Sequence, residues 1–429
     1  MNGDGPAPHI CDPQRPGDLI LGVRREYGSP DDLIERGAGS GLPGLEALRQ
    51  RSRLGETPSS EDVERRFEDS RAEARYALPD GNYDFRLLEV PEGEEQVAAG
   101  SLIRLFMTVS QQQAGLGDPS PIIAQPNHIL GFDAGLPPTN LSPYHERYLK
   151  QMGITRPSEP TRYPRVRIID SGYNGTGNVV LKRNLLDPGN SNDVQDDDGH
   201  GSLVTTIIDD IANSPLEIFK VGDAGRKPTE WEVLEALSIP PMTPIVNLSM
   251  SLGFGNPHCS QCGRRPVGAR TAVFQERLRE LQEAGVIVVV AAGNQGEDQL
   301  AYPSRFATAV AVEACSGHPP RLASYSNSGA KDERGEPHQN VFLCPGGNPS
   351  PPAIEGPALE SDGSVAWGTS YAAAYMSGLL ASTWAAKSTC NGPCTICRED
   401  VLTSARFAAK KKGLRNYDQR WHGNGLAHV

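Results

Sequence analysis

The chain has 429 residues, a hydrophobic fraction of 37% and a formal charge of −12, which suits a globular protein long enough for more than one domain. The acidic balance argues against nucleic acid or an anionic membrane surface as the main partner. No apolar run approaches the length of a bilayer span, and the first residues, MNGDGPAPHICDPQRPGDLILG, lack the basic start and long hydrophobic stretch of a signal peptide, so a soluble, cytoplasmic protein is expected.

In chain order, residues 2–44 are rich in Gly, Pro and Asp, and residues 61–75 form a charged run, EDVERRFEDSRAEAR, that reads as a solvated helix. YDFRLLEV (83–90) is a strand candidate. EEQVAAGSLIRLFMTVSQQQ (94–113) has apolar residues on one helical face, and PIIAQPNHIL (121–130) is strand-like again. Residues 133–163 are Pro-rich and read as a linker. Val166, Ile168 and Ile169 then make an apolar run closed by Asp170, Ser171 and Gly172, which puts Asp170 at the carboxyl end of a buried strand. His200 lies between two glycines just before the helical stretch SLVTTIIDDIA. Ser370 follows Gly368 and Thr369 and opens an apolar helical stretch over 372–386.

A serine hydroxyl is a poor nucleophile unless an imidazole takes its proton and a carboxylate holds that imidazole in the right tautomer. Asp170, His200 and Ser370 form such a set. Small neighbours let a substrate backbone approach each of them, and the first amides of a helix offer donors to a developing negative charge.

The blocks IIDSG, DDGHG, VIVVVAAGNQG and GTSYAAA, with NLSMSLG, AYPSRFATAVAV, ASYSNSG and HGNGLAHV, run over residues 164–429 in the order of the subtilases, and the chain resembles that family of serine peptidases. The order Asp, His, Ser is the family's own. The resemblance implies an α/β fold with a mainly parallel central sheet and helices on both faces over 164–429. It also implies serine endopeptidase activity on protein or peptide substrates through an acyl-enzyme; no cofactor and no metal in the site are expected. Asn294 matches the family's side-chain oxyanion donor, a group whose loss in subtilisin costs roughly 10²–10³ in turnover. Ser251, Leu252 and Gly253 match one wall of the substrate cleft; Ala291, Ala292 and Gly293 match the opposite wall, with Ala301 near the floor. These small or apolar residues imply uncharged, medium-sized side chains before the cut. Asp196, Asp197 and Asp198 read either as a preference for basic residues near the scissile bond or as a solvated acidic turn.

Two blocks depart from the family's usual wording: GHGSLV has Ser202 and Leu203, and GTSYAAA has Tyr371 and Ala374 where a proline is common. Neither change removes a proton-transfer or charge-stabilising group, and the helix after Ser370 should be more regular without the proline. Residues 1–132, with a core at about 80–132, resemble the family's small α+β propeptide, an intramolecular inhibitor whose tail at 127–132 would occupy the cleft; an unrelated docking domain is the alternative. Among eight cysteines, Cys259 and Cys262 form one CxxC and Cys390, Cys394 and Cys397 a second cluster. A zinc shared between the clusters, separate local disulfides and reduced thiols all stay open. The helix after His200 runs on without the interruption that carries calcium in secreted relatives.

Overall fold

The computed structural model describes residues 14–25, 30–38, 49–53, 83–90, 97–102, 122–131, 138–162, 164–252, 271–350, 354–360, 364–388, 390, 392–411 and 414–429. The charged run at 61–75, most of the helix expected at 94–113, and residues Phe132, Gly253, Cys259 and Cys262 lie outside them.

The N-terminal part is a four-stranded antiparallel sheet in the order β2 (Arg49–Arg53), β3 (Tyr83–Glu89), β1 (Gln14–Arg24), β4 (Ile122–His128). Side chains alternate across a strand, and both faces are used here. Leu19, Leu21, Leu88 and Ile122 pack under helix α1 (Pro30–Ala38) and the helical segment at 97–102. Ile20, Phe85, Leu87 and Ile123 pack against the larger body. The strand at 14–24 lies between β3 and β4, so this sheet reaches well before residue 80. The segment LILG, too short for a signal peptide, is its buried centre.

Two short strands follow, β5 (Leu130–Gly131) and β6 (Pro138–Leu141). Part of the stretch read as a linker is helix: α2 (Pro143–Met152) buries Tyr148, Leu149 and Met152 in the main core. Its proline sits in the first turn, where it leaves no hydrogen bond unmade, and Ser142 caps it. Proline density, taken as a breaker, here marks a helix start.

The central sheet has the order β14 (Arg321–Leu322), β13 (Val310–Ser316), β12 (Ile287–Ala291), β10 (Ile245–Leu248), β7 (Val166–Asp170), β9 (Leu216–Lys220), β8 (Val179–Asn184), with β15 (Val341–Pro345) also on β13. All its pairings are parallel except β13 with β14. The central strands are buried along their whole length, as parallel strands covered on both faces must be. Ile168, Ile218 and Val289 face one layer, with α2, α3 (His200–Ala212) and α6 (Thr369–Lys387). Ile169, Phe219 and Val288 face the other, with α4 (Glu230–Ser238) and α5 (Ala272–Glu283). Helix α6 is continuous for 19 residues. Helices α7 (Thr395–Ala408) and α8 (Gln419–His422) close the chain. No described helix is long and apolar enough to cross a membrane.

The N-terminal sheet sits on the starts of α4 and α5. Gln125 accepts from the amides of Ala272 (3.1 Å) and Val273 (3.3 Å) and donates to Glu230 (3.0 Å), while Asn127 accepts from Trp231 N (3.1 Å). Helix starts carry amides with no partner in the helix, and the neighbouring sheet supplies acceptors for them.

Candidate active site

Asp170 ends β7 at the carboxyl edge of the sheet, where parallel α/β folds present their ligands. The Ser171 amide donates to Asp170 Oδ1 at 2.8 Å, and His200 Nδ1 lies 2.7 Å from the same oxygen. Both residues are 1% exposed. His200 is the first residue of α3, and Gly201 is what lets that helix start so close: a Cβ there would stand 2.4 Å from the Gly172 carbonyl and 3.1 Å from Asp170 Oδ1. Burial alone would depress the His200 imidazole. The charge and hydrogen bond of Asp170, aided by Asp198 and Asp196, outweigh burial and hold it above its ordinary value.

The acidic run before His200 fits neither of its sequence readings as a whole. Asp196 is buried and accepts from Ser171 Oγ (2.9 Å), the amides of Asp198 (3.2 Å) and Gly199 (2.8 Å), and Ser202 N (2.7 Å). It fixes the turn that delivers His200. Asp198 accepts from His200 N at 3.3 Å; Asp197 alone is exposed.

Ser370 lies in the first turn of α6, buried, and the ring of the next residue, Tyr371, is 5.6 Å from the His200 ring. Its hydroxyl donates to the Ser249 carbonyl at 2.9 Å, and Ser249 Oγ donates back to the Ser370 carbonyl at 2.8 Å. Asn247 supports Ser249 (2.9 Å) and is held by Ser377 (2.9 Å). Asn294 follows β12, and its Oδ1 accepts from both Thr369 N and Thr369 Oγ1, each at 2.9 Å. With the carboxamide oxygen committed to Thr369, the NH₂ group is the end that can meet an oxyanion.

Ser251 and Leu252 form strand β11, which pairs antiparallel with Gly131 and Leu130 of β5. On the other side of β5, Leu130 N donates to Pro228 O at 2.9 Å and Ile129 bridges Thr229. Ala291 ends β12, Ala301 N donates to Ala292 O at 2.9 Å, and Leu252 N donates to Tyr302 O at 2.8 Å. A Cβ on Gly293, at φ +101°, would lie 3.0 Å from the Ala301 methyl. The residues read as walls and floor are therefore contiguous, with Gly253 outside the described residues.

Thr369, Ser249, Asn247 and Ser171 were not singled out as site residues by the sequence. Asp196 was read there only as part of an acidic run; it stands three residues before the Gly199 N-cap and accepts from the first-turn amide of Ser202.

A buried imidazole–carboxylate pair at a strand end, beside a serine that opens a helix and an anchored carboxamide, defines the serine hydrolase class. The subtilase family profile matches residues 162–425; the chain belongs to the subtilase family and is a serine endopeptidase. It is 26% identical over 200 residues to subtilisin BL of Lederbergia lenta, covering 44% of this chain and 72% of that protein. It is 26% identical over 170 residues to alkaline elastase YaB of Bacillus sp. (strain YaB), covering 39% and 43%. Among solved structures, a lanthipeptide protease superposes with a TM-score of 0.50 at 17% identity, covering 69% of this chain and 97% of that one, a likeness of fold.

Proposed function

We propose that the chain is an endopeptidase whose nucleophile is Ser370, acting inside the cell and held latent by its own N-terminal region. His200 takes the Ser370 proton, which requires the hydroxyl to turn from the Ser249 carbonyl toward the imidazole. Ser370 Oγ attacks the peptide carbonyl, and the Asn294 NH₂ and the Ser370 amide receive the oxyanion. His200 returns the proton to the leaving amine, and water releases the acyl group by the same steps reversed in role. Asp170 holds the imidazole tautomer and stabilises the imidazolium. The observation that carries this reading is the buried 2.7 Å contact of His200 Nδ1 with Asp170 next to the start of the Ser370 helix.

Latency is supported by β5. A peptide substrate enters such a cleft as an added strand, and the Leu130–Gly131 segment already pairs with Ser251–Leu252. Uncharged side chains of medium size before the cut fit Ala291, Ala292, Gly293 and Ala301. The test compares wild type and Ser370→Ala by intact mass, N-terminal sequencing and labelling with a fluorophosphonate. Processing near residues 131–137 and labelling in wild type alone are expected. Absence of labelling after removal of residues 1–132 would instead favour a catalytically silent binding protein.

A further inference from the structure

The loop between α6 and α7 gathers three sulfurs. Cys390 and Cys397 are joined by a disulfide, and the sulfurs of Cys390, Cys394 and Cys397 all lie within 4.8 Å of one another. A disulfide needs only two of them and leaves the place of Cys394 unexplained. Cys394 occupies the N-cap of α7, and its sulfur accepts from Cys397 N at 3.4 Å. Ser, Thr, Asp and Asn fill that position better, since sulfur is a weak acceptor.

The loop is fixed from several directions. Trp384 Nε1 donates to Cys390 O at 3.2 Å, Ser388 Oγ accepts from Cys390 N at 3.0 Å, and Arg398 Nε donates to Val286 O at 3.2 Å. Gly285 backs so closely onto Cys394 that a Cβ there would be 2.3 Å from its carbonyl carbon. The sulfurs are thus held near one another by the backbone as well as by their own bond. Thiolates around a tetrahedral zinc, at bonds of about 2.3 Å, stand roughly 3.8 Å apart. An N–H directed at a sulfur is the kind of outer contact that supports a metal-bound thiolate.

We propose that, when reduced, Cys390, Cys394 and Cys397 bind one thiophilic divalent cation of the zinc class, in a site separate from the peptidase chemistry. Reaching that state breaks the S–S bond with two electrons and two protons. A phosphine supplies the electrons, becoming its oxide with oxygen taken from water, and the cation then displaces the thiol protons. Cys394 lies against Gly285, just beyond the carboxyl end of α5; Cys259 and Cys262 lie outside the described residues, and the proposed site is made without them.

The test titrates phosphine-reduced full-length protein with Co²⁺ and Zn²⁺. Wild type should bind one equivalent with a thiolate-to-cobalt absorption band, and the Cys259→Ser/Cys262→Ser protein should do the same. Cys394→Ser keeps a cap on α7 and should bind at least tenfold more weakly. Excess Zn²⁺ should also slow iodoacetamide labelling of Cys390, Cys394 and Cys397 in wild type, read by peptide mass. No band in reduced wild type, equal binding by Cys394→Ser, a band lost only with Cys259 and Cys262, or labelling rates indifferent to zinc would each overturn the assignment.

Discussion

In the proposed mechanism the position of the acid limb of activity is set at His200. Its imidazole must be neutral to act as a base, and the carboxylates of Asp170, Asp198 and Asp196 favour the protonated form against the opposing effect of burial. Asp198→Asn removes one negative charge beside the ring, so the imidazole gives up its proton at lower pH and the acid limb of kcat/KM moves down. A pH profile on a peptide substrate checks this, and a limb that stays put or rises would contradict it. Thr369 acts one step further out, because both its donors hold the Asn294 carboxamide oxygen. Thr369→Val keeps the shape and loses one of them. A net hydrogen bond of about 1–1.5 kcal/mol corresponds to roughly tenfold in kcat, with KM nearly unchanged; a rise in KM at constant kcat would mean that Thr369 serves substrate binding instead. The placing of Asp170 at a strand end, of His200 and Ser370 at helix starts and of Asn294 after β12 was legible, because each sits in a short run of small residues. Thr369 and Ser249 were not, because their work is done by contacts to groups 75 and 121 residues away, which no local pattern encodes.

The central strand ending at Asp170 was legible as an apolar run, and the helices at 200–212 and 369–387 as apolar stretches after a glycine, because burial writes a strong local signature. Helix α2 was hidden by prolines whose meaning depends on position: at the first turn proline is compatible with a helix, in the interior it is not. The first strand was hidden among Gly, Pro and Asp, since only its buried centre is apolar. The packing of α2 gives a direct prediction. Ser142 accepts from Tyr144 N at 3.2 Å and donates to the Gly356 carbonyl, so Ser142→Ala should lower unfolding free energy by about 1 kcal/mol. Denaturant titration would read this as a lower midpoint at unchanged slope. A tether without packing would tolerate the change within about 0.5 kcal/mol.

At the scale of the whole molecule, the N-terminal sheet and the body meet over a cleft of about 480 Å³, lined by Asp18 and Leu87 from the sheet and by Arg183, Arg226, Glu232 and Glu235 from the body. This seating was not legible, since pairs such as Gln125 with Glu230 join residues 105 apart. Burial, and then the charge of Glu232, push the Glu235 carboxyl up to about 7. The favoured native form is therefore the neutral acid. Its contribution to stability is fully present below the ordinary carboxylate range near 4.5 and is lost as pH rises through about 7. Arg226 is engaged with Glu232 by an ion pair, and Asp18 adds another buried acid, so ionisation of Glu235 loads the seam with negative charge. Glu235→Gln should match wild type at pH 4 and exceed it by about 2 kcal/mol at pH 8, flattening the fall between. On the proposed latency, the same ionisation should loosen the sheet from α4, and self-processing of wild type should quicken from pH 6 to pH 8 more steeply than in Glu235→Gln. Measured as the rate of N-terminal release and normalised to cleavage of a free peptide at each pH, equal slopes in the two proteins would show that Glu235 ionises without bearing on the docked sheet.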